Sequence, residues 1–125
     1  MRSAKDTAAR VTPAFSAIIL KVILFILRKI KNLRRIAVTP WADVEKCAEQ
    51  IRSDYVCSWR PNPATMVCSG FDADFVRNEI INGLNKFCKY GCIVDITLKD
   101  VQTLEGQPER IKKWCEIVRS CVANN

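Results

Sequence analysis

The chain has 125 residues, seven cysteines, no histidine and a formal charge of +7, and 49% of its residues are hydrophobic. This length limits it to one small domain, and this hydrophobic fraction excludes a disordered tail. Because histidine is absent, the chain alone cannot form a Ser-His-Asp triad, a Cys-His pair or an HExxH zinc site.

The positive charge is concentrated at the N-terminal end. Residues 1–35 hold nine Lys or Arg and one acid, whereas the remaining ninety residues hold eleven basic and twelve acidic residues. A nucleic-acid surface needs basic groups arranged over the folded domain with stacking aromatics among them. The rest of the chain has no such stripe, so we expect no nucleic-acid partner.

The N-terminal segment predicts a loose basic tail over residues 1–13 and a hydrophobic helix over residues 14–33. Its apolar run, AFSAIILKVILFIL, has fourteen residues, whereas a bilayer span takes about twenty. It ends in Lys and Arg, not in the small residues of a signal-peptide cleavage site. Three interpretations stay open: a core helix, a membrane-surface anchor over residues 14–35 whose basic flanks suit anionic lipid, and a misread or non-native N-terminus.

Residues 34–125 repeat a strand-helix pattern three times. Short apolar, β-favouring runs predict strands near 36–39, 54–59 and 91–98. The apolar faces expected on the three helices are Val44, Cys47, Ala48 and Ile51; Val76, Ile80, Leu84 and Phe87; and Ile111, Trp114 or Cys115, Val118 and Val122. The order βαβαβα with nearly all-apolar strands predicts a mixed α/β fold with a parallel sheet covered by helices. Its open edges indicate part of a larger assembly, or self-association.

Local signals mark where the helices begin and end. Pro61 and Pro63 exclude a helix there and predict an irregular loop. Asp72 and Asp74 favour a helix start, and Pro108 suits the first turn of the last helix. The four glycines are isolated, so neither a GxGxxG loop nor a P-loop is present.

The cysteines indicate a reducing compartment. Seven is an odd number and no pair is spaced as CxxC, so neither a disulfide framework nor a zinc ribbon is predicted. Cys88 and Cys92 come closest to a metal-binding pair, in CKYGC. We expect most of the seven to be small buried hydrophobes in a cytoplasmic protein, with no metal bound.

The candidate site lies at the carboxyl ends of the strands, where parallel α/β folds bind their ligands. The predicted ligand-binding residues are Trp41, Trp59, Arg60, Asn62, Lys99 and Asp100. The two indoles suit a flat ligand, and Arg60 suits an acidic substituent. Ordinary structural roles stay open as alternatives: shaping of its own turn for Asn62, capping of its helix for Asp43, and a solvated ion pair for Lys99 and Asp100.

The stretch IAVTPWADVEKCAEQIRSDYVCSWRPNPATM resembles the late barrel segment of the uroporphyrinogen decarboxylase and cobamide-dependent methyltransferase superfamily. In that family a strand and a helix precede a strand that ends in a Gly-Asn-x-Asp-Pro-like turn, and here the turn reads Ser-Trp-Arg-Pro-Asn-Pro over residues 58–63. The segments GCIVDITLKD and QPERIKKWCEIVRSCV resemble the family's final strand and closing helix, including Pro108-Glu109 at the helix start. The resemblance covers about residues 33–125.

This resemblance implies a partial TIM barrel, of which the chain carries the last three βα units. It implies a cytoplasmic C-terminal fragment of a decarboxylase or a corrinoid or methyl-transfer protein, inactive alone because the family's early strands carry its acidic and Arg residues. The parent barrel would hold a small-molecule ligand, lined by the six residues named above.

The resemblance assigns no catalytic residue to this chain. Zinc or a corrinoid belongs to full-length members, but residues 97–100, Thr-Leu-Lys-Asp, stand where a zinc-ligating Cys or the decarboxylases' Gly-His-Gly falls. Cys92 lies at the opposite end of its strand, so the chain supplies neither cofactor with a ligand. The alternative functions are a small membrane-associated α/β binding module anchored by residues 14–35, and a minidomain whose N-terminal helix covers the open sheet edge.

Overall fold

A computed structural model describes the backbone of residues 13–124 and the side chains of residue 18 and residues 21–124. The tail expected over residues 1–13 lies outside the described residues, except for Pro13. The chain divides into two compact units between Asn32 and Leu33. In the first unit, helix α1 spans Pro13–Leu27 and ends where the basic residues begin. Among residues 13–124, no helix has the length and apolar character that a membrane span requires.

The second unit contains a three-stranded parallel sheet. Strands β1 (Arg35–Val38), β2 (Val56–Trp59) and β3 (Ile93–Ile96) pair in the order β1-β2-β3. The predicted mixed α/β fold with a parallel sheet is thereby confirmed. Strand β1 has the predicted length, one residue earlier, whereas β2 and β3 are shorter than predicted. Gly91 has φ of 67°, a turn conformation that glycine favours, and the amide of Asp54 closes a turn onto the carbonyl of Ile51 at 3.1 Å.

The predicted helices form, with capping groups that the sequence indicates. Helices α2 (Val44–Ile51) and α4 (Ala73–Lys89) begin after Asp43 and Asp72, whose carboxylates each accept two backbone N–H groups of the first turn. Helix α5 spans Glu109–Ala123 and follows Pro108. A single-turn helix α3, Ala64–Val67, lies in the segment predicted to be an irregular loop.

The core lies between the helices and one face of the sheet. The buried strand side chains on this face are Ile36, Val38, Cys57 and Trp59. The Trp59 ring lies 5.7 Å from that of Phe87 on α4 and contacts the backbone at Gly83. Helix α4 also packs against α2 and α5, so the helices form one layer on one side of the sheet.

The buried face of α5 differs from the predicted one. Ile111 and Val122, expected in the core, are 44% and 54% exposed. The buried residues are Arg110, Trp114, Ile117 and Cys121, which follow helical spacing from an arginine instead of an isoleucine. Trp114 is buried as predicted, but the prediction was wrong for Ile111 and Val122 because an apolar pattern does not count a buried arginine.

Arg110 is 2% exposed and joins α5 to the loop around α3. Its Nη1 donates to the carbonyl oxygens of Met66 at 2.7 Å and Cys68 at 2.9 Å, and its Nε donates to Gln107 Oε1 at 3.1 Å. These acceptors compensate the desolvated guanidinium. The charged group therefore ties the start of α5 to the end of α3.

We expect Gly83→Ala to destabilise the protein by about 1–3 kcal/mol, because a Cβ at this position would overlap the buried Trp59 ring. In an exposed helix position the same change stabilises by about 1 kcal/mol. Urea unfolding measures the difference in the free energy of unfolding between the variant and the unchanged chain. Asn85→Ala, at an exposed position of the same helix, is the control, and a stabilised Gly83→Ala variant would contradict the packing.

We expect Arg110→Met to lower the free energy of unfolding by about 2–3 kcal/mol, because two carbonyls lose a charged donor. Lys113→Met makes a comparable change at an exposed position of α5 and should leave stability within about 0.5 kcal/mol. Chemical denaturation of both variants measures this. Equal stability of the two would show that the Arg110 contacts contribute little.

Candidate functional site

The sheet face opposite the helices carries polar side chains. Strand alternation places the rows Arg35–Val56–Ile93 and Ala37–Ser58–Asp95 on this face. All six residues are exposed or half-buried, in contrast to the buried residues of the helix face. Within residues 33–124, this face is thus the less covered side of the sheet.

Asp95 connects the three strands on this face. Ser58 Oγ donates to Asp95 Oδ1 at 2.7 Å, and Arg35 Nη1 lies 3.2 Å from Asp95 Oδ2. That distance makes an ion pair, yet among the described residues no group donates to Oδ2 with hydrogen-bond geometry, although the atom is buried. The carboxylate therefore keeps acceptor capacity for a further donor on this face.

Arg60 directly follows β2 and extends the same face. Its backbone N–H donates to the carbonyl of Val38 at 2.9 Å, which continues the ladder and the alternation from Ser58. Its Nε is buried and finds no acceptor among the described residues. A buried donor without an acceptor costs about 1–3 kcal/mol, so an acceptor that reached this Nε would stabilise the fold.

The other predicted site residues do not lie together in one site. Trp59 is 4% exposed and points to the helix side, whereas Trp41 is 86% exposed. Asn62 shapes its turn, since its Oδ1 accepts from the backbone of Ala64 at 3.0 Å. Lys99 and Asp100 are exposed, and Asp100 has φ of 63°. The structure does not bring the two indoles to one cavity: Trp59 lines the cleft beside α4, and Trp41 is not among the residues lining it.

A cleft of about 340 Å³ lies on the helix side, between the loops after β1 and β2 and helix α4. Its lining includes Trp59, Asn62, Phe75, Glu79, Asn82 and Lys86. Glu79 Oε1 accepts from the backbone N–H of Asn62 at 3.3 Å. Burial raises the pKa of Glu79 above its ordinary value, and the Asn62 hydrogen bond partly offsets this shift. The cleft combines apolar walls with one acid and one base, which suits a small polar ligand.

The cysteines lie apart from these surfaces, and no disulfide joins any two of them. Cys47, Cys57 and Cys121 are buried, but Cys68 and Cys88 are exposed, so the expectation that most are buried is only partly correct. Burial raises the pKa of Cys47 to about 11 and, with the adjacent Cys92 thiol, that of Cys57 to about 12. Among residues 13–124, no group of three or more His, Cys, Asp or Glu is arranged to hold a metal ion.

Sequence reasoning missed Ser58, Asp95 and Glu79 as candidate site residues. Asp95 stands inside the apolar strand GCIVDITL, and a charged residue at a central strand position is a signal that could have found it. Ser58 follows from Asp95 only through the strand register. Glu79 reaches Asn62 through the packing of α4, which no local pattern encodes.

We expect Glu79→Gln to gain stability relative to the unchanged chain as pH rises. A carboxyl whose folded pKa is raised contributes stability below its unfolded pKa of about 4.3 and loses it as pH rises through the folded value. Glutamine keeps the acceptor for Asn62 without this loss. Urea midpoints at pH 4 and pH 7 measure the change, and Glu116→Gln, at an exposed position, reports charge removal alone. An identical difference at both pH values would contradict the assignment.

The chain matches no protein-family model, no curated protein and no solved structure. Membership of the uroporphyrinogen decarboxylase superfamily therefore stays a prediction. Within residues 33–124, the surfaces described above that suit a ligand are the sheet face around Asp95 and Arg60 and the cleft beside Glu79.

Proposed function

We propose that residues 33–125 are the last three βα units of a uroporphyrinogen-decarboxylase-like barrel protein, of the decarboxylase or the corrinoid or methyl-transfer type. The main support for the proposal is the order of the strands together with the single layer of helices. The strands follow one another in chain order, and α4 packs against both α2 and α5 in one layer. A barrel continues this strand order and this single helix layer around its ring, whereas a doubly wound fold does so only within one half and then reverses its strand order. The resemblance over residues 33–125 favours the barrel.

The sheet edges support the same proposal. Within residues 13–124, strands β1 and β3 each pair on one side only, and exposed edges of this kind readily pair with further strands. In a barrel the missing strands would pair at both edges and close the ring. The chain alone would then lack most of the cavity wall and be inactive. Without the missing strands, the same edges favour self-association.

The face around Asp95 would line the inside of this barrel. The rows Arg35–Val56–Ile93 and Ala37–Ser58–Asp95 would be layers of inward-pointing side chains. Arg60 and Thr97 follow at the carboxyl ends, where barrel enzymes hold their ligands. Of the six residues expected at the ligand, Arg60 fits this cavity best, because its buried Nε awaits an acceptor.

Trp59 fits the inside of the barrel least, because it packs between sheet and helices. Trp41, Lys99 and Asp100 are exposed and lie in loops after β1 and β3. In the proposed barrel they would lie at its mouth instead of within its wall. None of these residues forms a metal-binding group. A zinc ion or a corrinoid would depend on the missing strands.

The test is to read the DNA upstream of the Met1 codon in all three forward frames. A whole barrel takes about 250 residues, so about 150 further residues with at least four or five strand-helix repeats should be encoded there. Sequence beyond the Asn125 codon is the control, because the barrel should close with α5. Upstream sequence without such repeats would overturn the proposal.

A further inference from the structure

Helix α1 exposes large apolar side chains along one side. Ile18, Val22, Ile23, Phe25 and Ile26 are each between 46% and 63% exposed. At about 100° per residue these five positions occupy a continuous arc of about 160° around the helix. Lys21 and Arg28 fall outside this arc. We call these five residues the apolar arc.

A basic segment follows the apolar arc. Three of the four residues from 28 to 31 are Lys or Arg and none is acidic. All three basic residues are exposed: Arg28, Lys29 and Lys31. Lys29 Nζ lies 4.5 Å from the centre of the Phe25 ring, so a cationic group contacts a residue of the apolar arc.

Length and charge together select the occupant of this surface. Fifteen helical residues extend about 22 Å, too short for the roughly 30 Å hydrocarbon core of a bilayer. A second copy of the chain would bring two basic segments together, which like-charge repulsion opposes. A nucleic acid would neutralise the charge but leave the apolar arc in water. An anionic lipid surface satisfies both features.

We propose that α1 and the basic segment bind the surface of an anionic membrane, with the helix lying in the plane of the headgroups and the apolar arc facing the acyl chains. The inference goes beyond the barrel assignment. It uses only residues 13–31, whereas the barrel proposal depends on the sheet and the helix layer, and it requires that the missing barrel strands leave the apolar arc uncovered.

The test uses the full chain and sedimentation with lipid vesicles. We expect binding to vesicles of 70% phosphatidylcholine and 30% phosphatidylserine, and at least tenfold weaker binding to pure phosphatidylcholine. Raising the salt from 50 to 500 mM should release the protein, because the interaction of basic groups with the headgroups is screened.

Two variants separate the contributions of the apolar arc and the charges. Val22→Glu with Phe25→Glu should reduce binding at least tenfold by placing carboxylates in the acyl region, and Lys29→Gln with Lys31→Gln should reduce it roughly tenfold or more. Ile111→Glu is the control, because it changes an exposed apolar residue of α5 and should bind like the unchanged chain. Circular dichroism confirms that each variant is folded.

Three results would overturn the proposal. The first is equal binding to neutral and anionic vesicles, and the second is unchanged binding by both double variants. The third is a concentration-dependent dimer, seen by analytical ultracentrifugation, that disappears in the Val22→Glu, Phe25→Glu variant while no vesicles are bound. That result would assign the apolar arc to a second copy of the chain.

Discussion

The packing of the Trp59 indole on the backbone of Gly83 sets the distance between the sheet and α4, and the rest of the second unit depends on that distance. Helix α4 contacts both α2 and α5, so its position determines theirs. The same contact fixes the orientation of β2. With Trp59 on the helix side, alternation directs Ser58 and Arg60 to the opposite face. One buried contact thus decides which side chains are available to a ligand.

The fold could be predicted from the sequence further than the site could. Strands and helix starts depend on local signals: apolar β-favouring runs, and aspartates that cap the first turn, as Asp43 and Asp72 do. The burial of Arg110 and the face of the sheet on which Trp59 lies depend on tertiary packing. Local patterns therefore predicted the α/β order but placed Ile111 in the core and paired Trp59 with Trp41.

The sheet face around Asp95 and the exposed side of helix α1 need different surroundings. On the sheet face around Asp95, the buried atoms Asp95 Oδ2 and Arg60 Nε have no hydrogen-bond partner among the described residues, although Oδ2 forms an ion pair with Arg35. This face therefore needs further hydrogen bonds. Helix α1 has the reverse requirement, since its exposed side chains are apolar and its charges follow at one end. A barrel interior satisfies the first surface, and a lipid headgroup layer satisfies the second.

The contacts of the Arg110 guanidinium also set the order in which parts of the chain can fold during synthesis. The carbonyls of Met66 and Cys68 that it binds leave the ribosome more than forty residues before it does. Until then only water can satisfy them, so the turn after α3 must wait for the last helix to emerge. A chain whose translation stops before residue 110 would contain all three strands but not α5. The turn after α3 would then stay hydrated, and α4 would lack its largest helix contact.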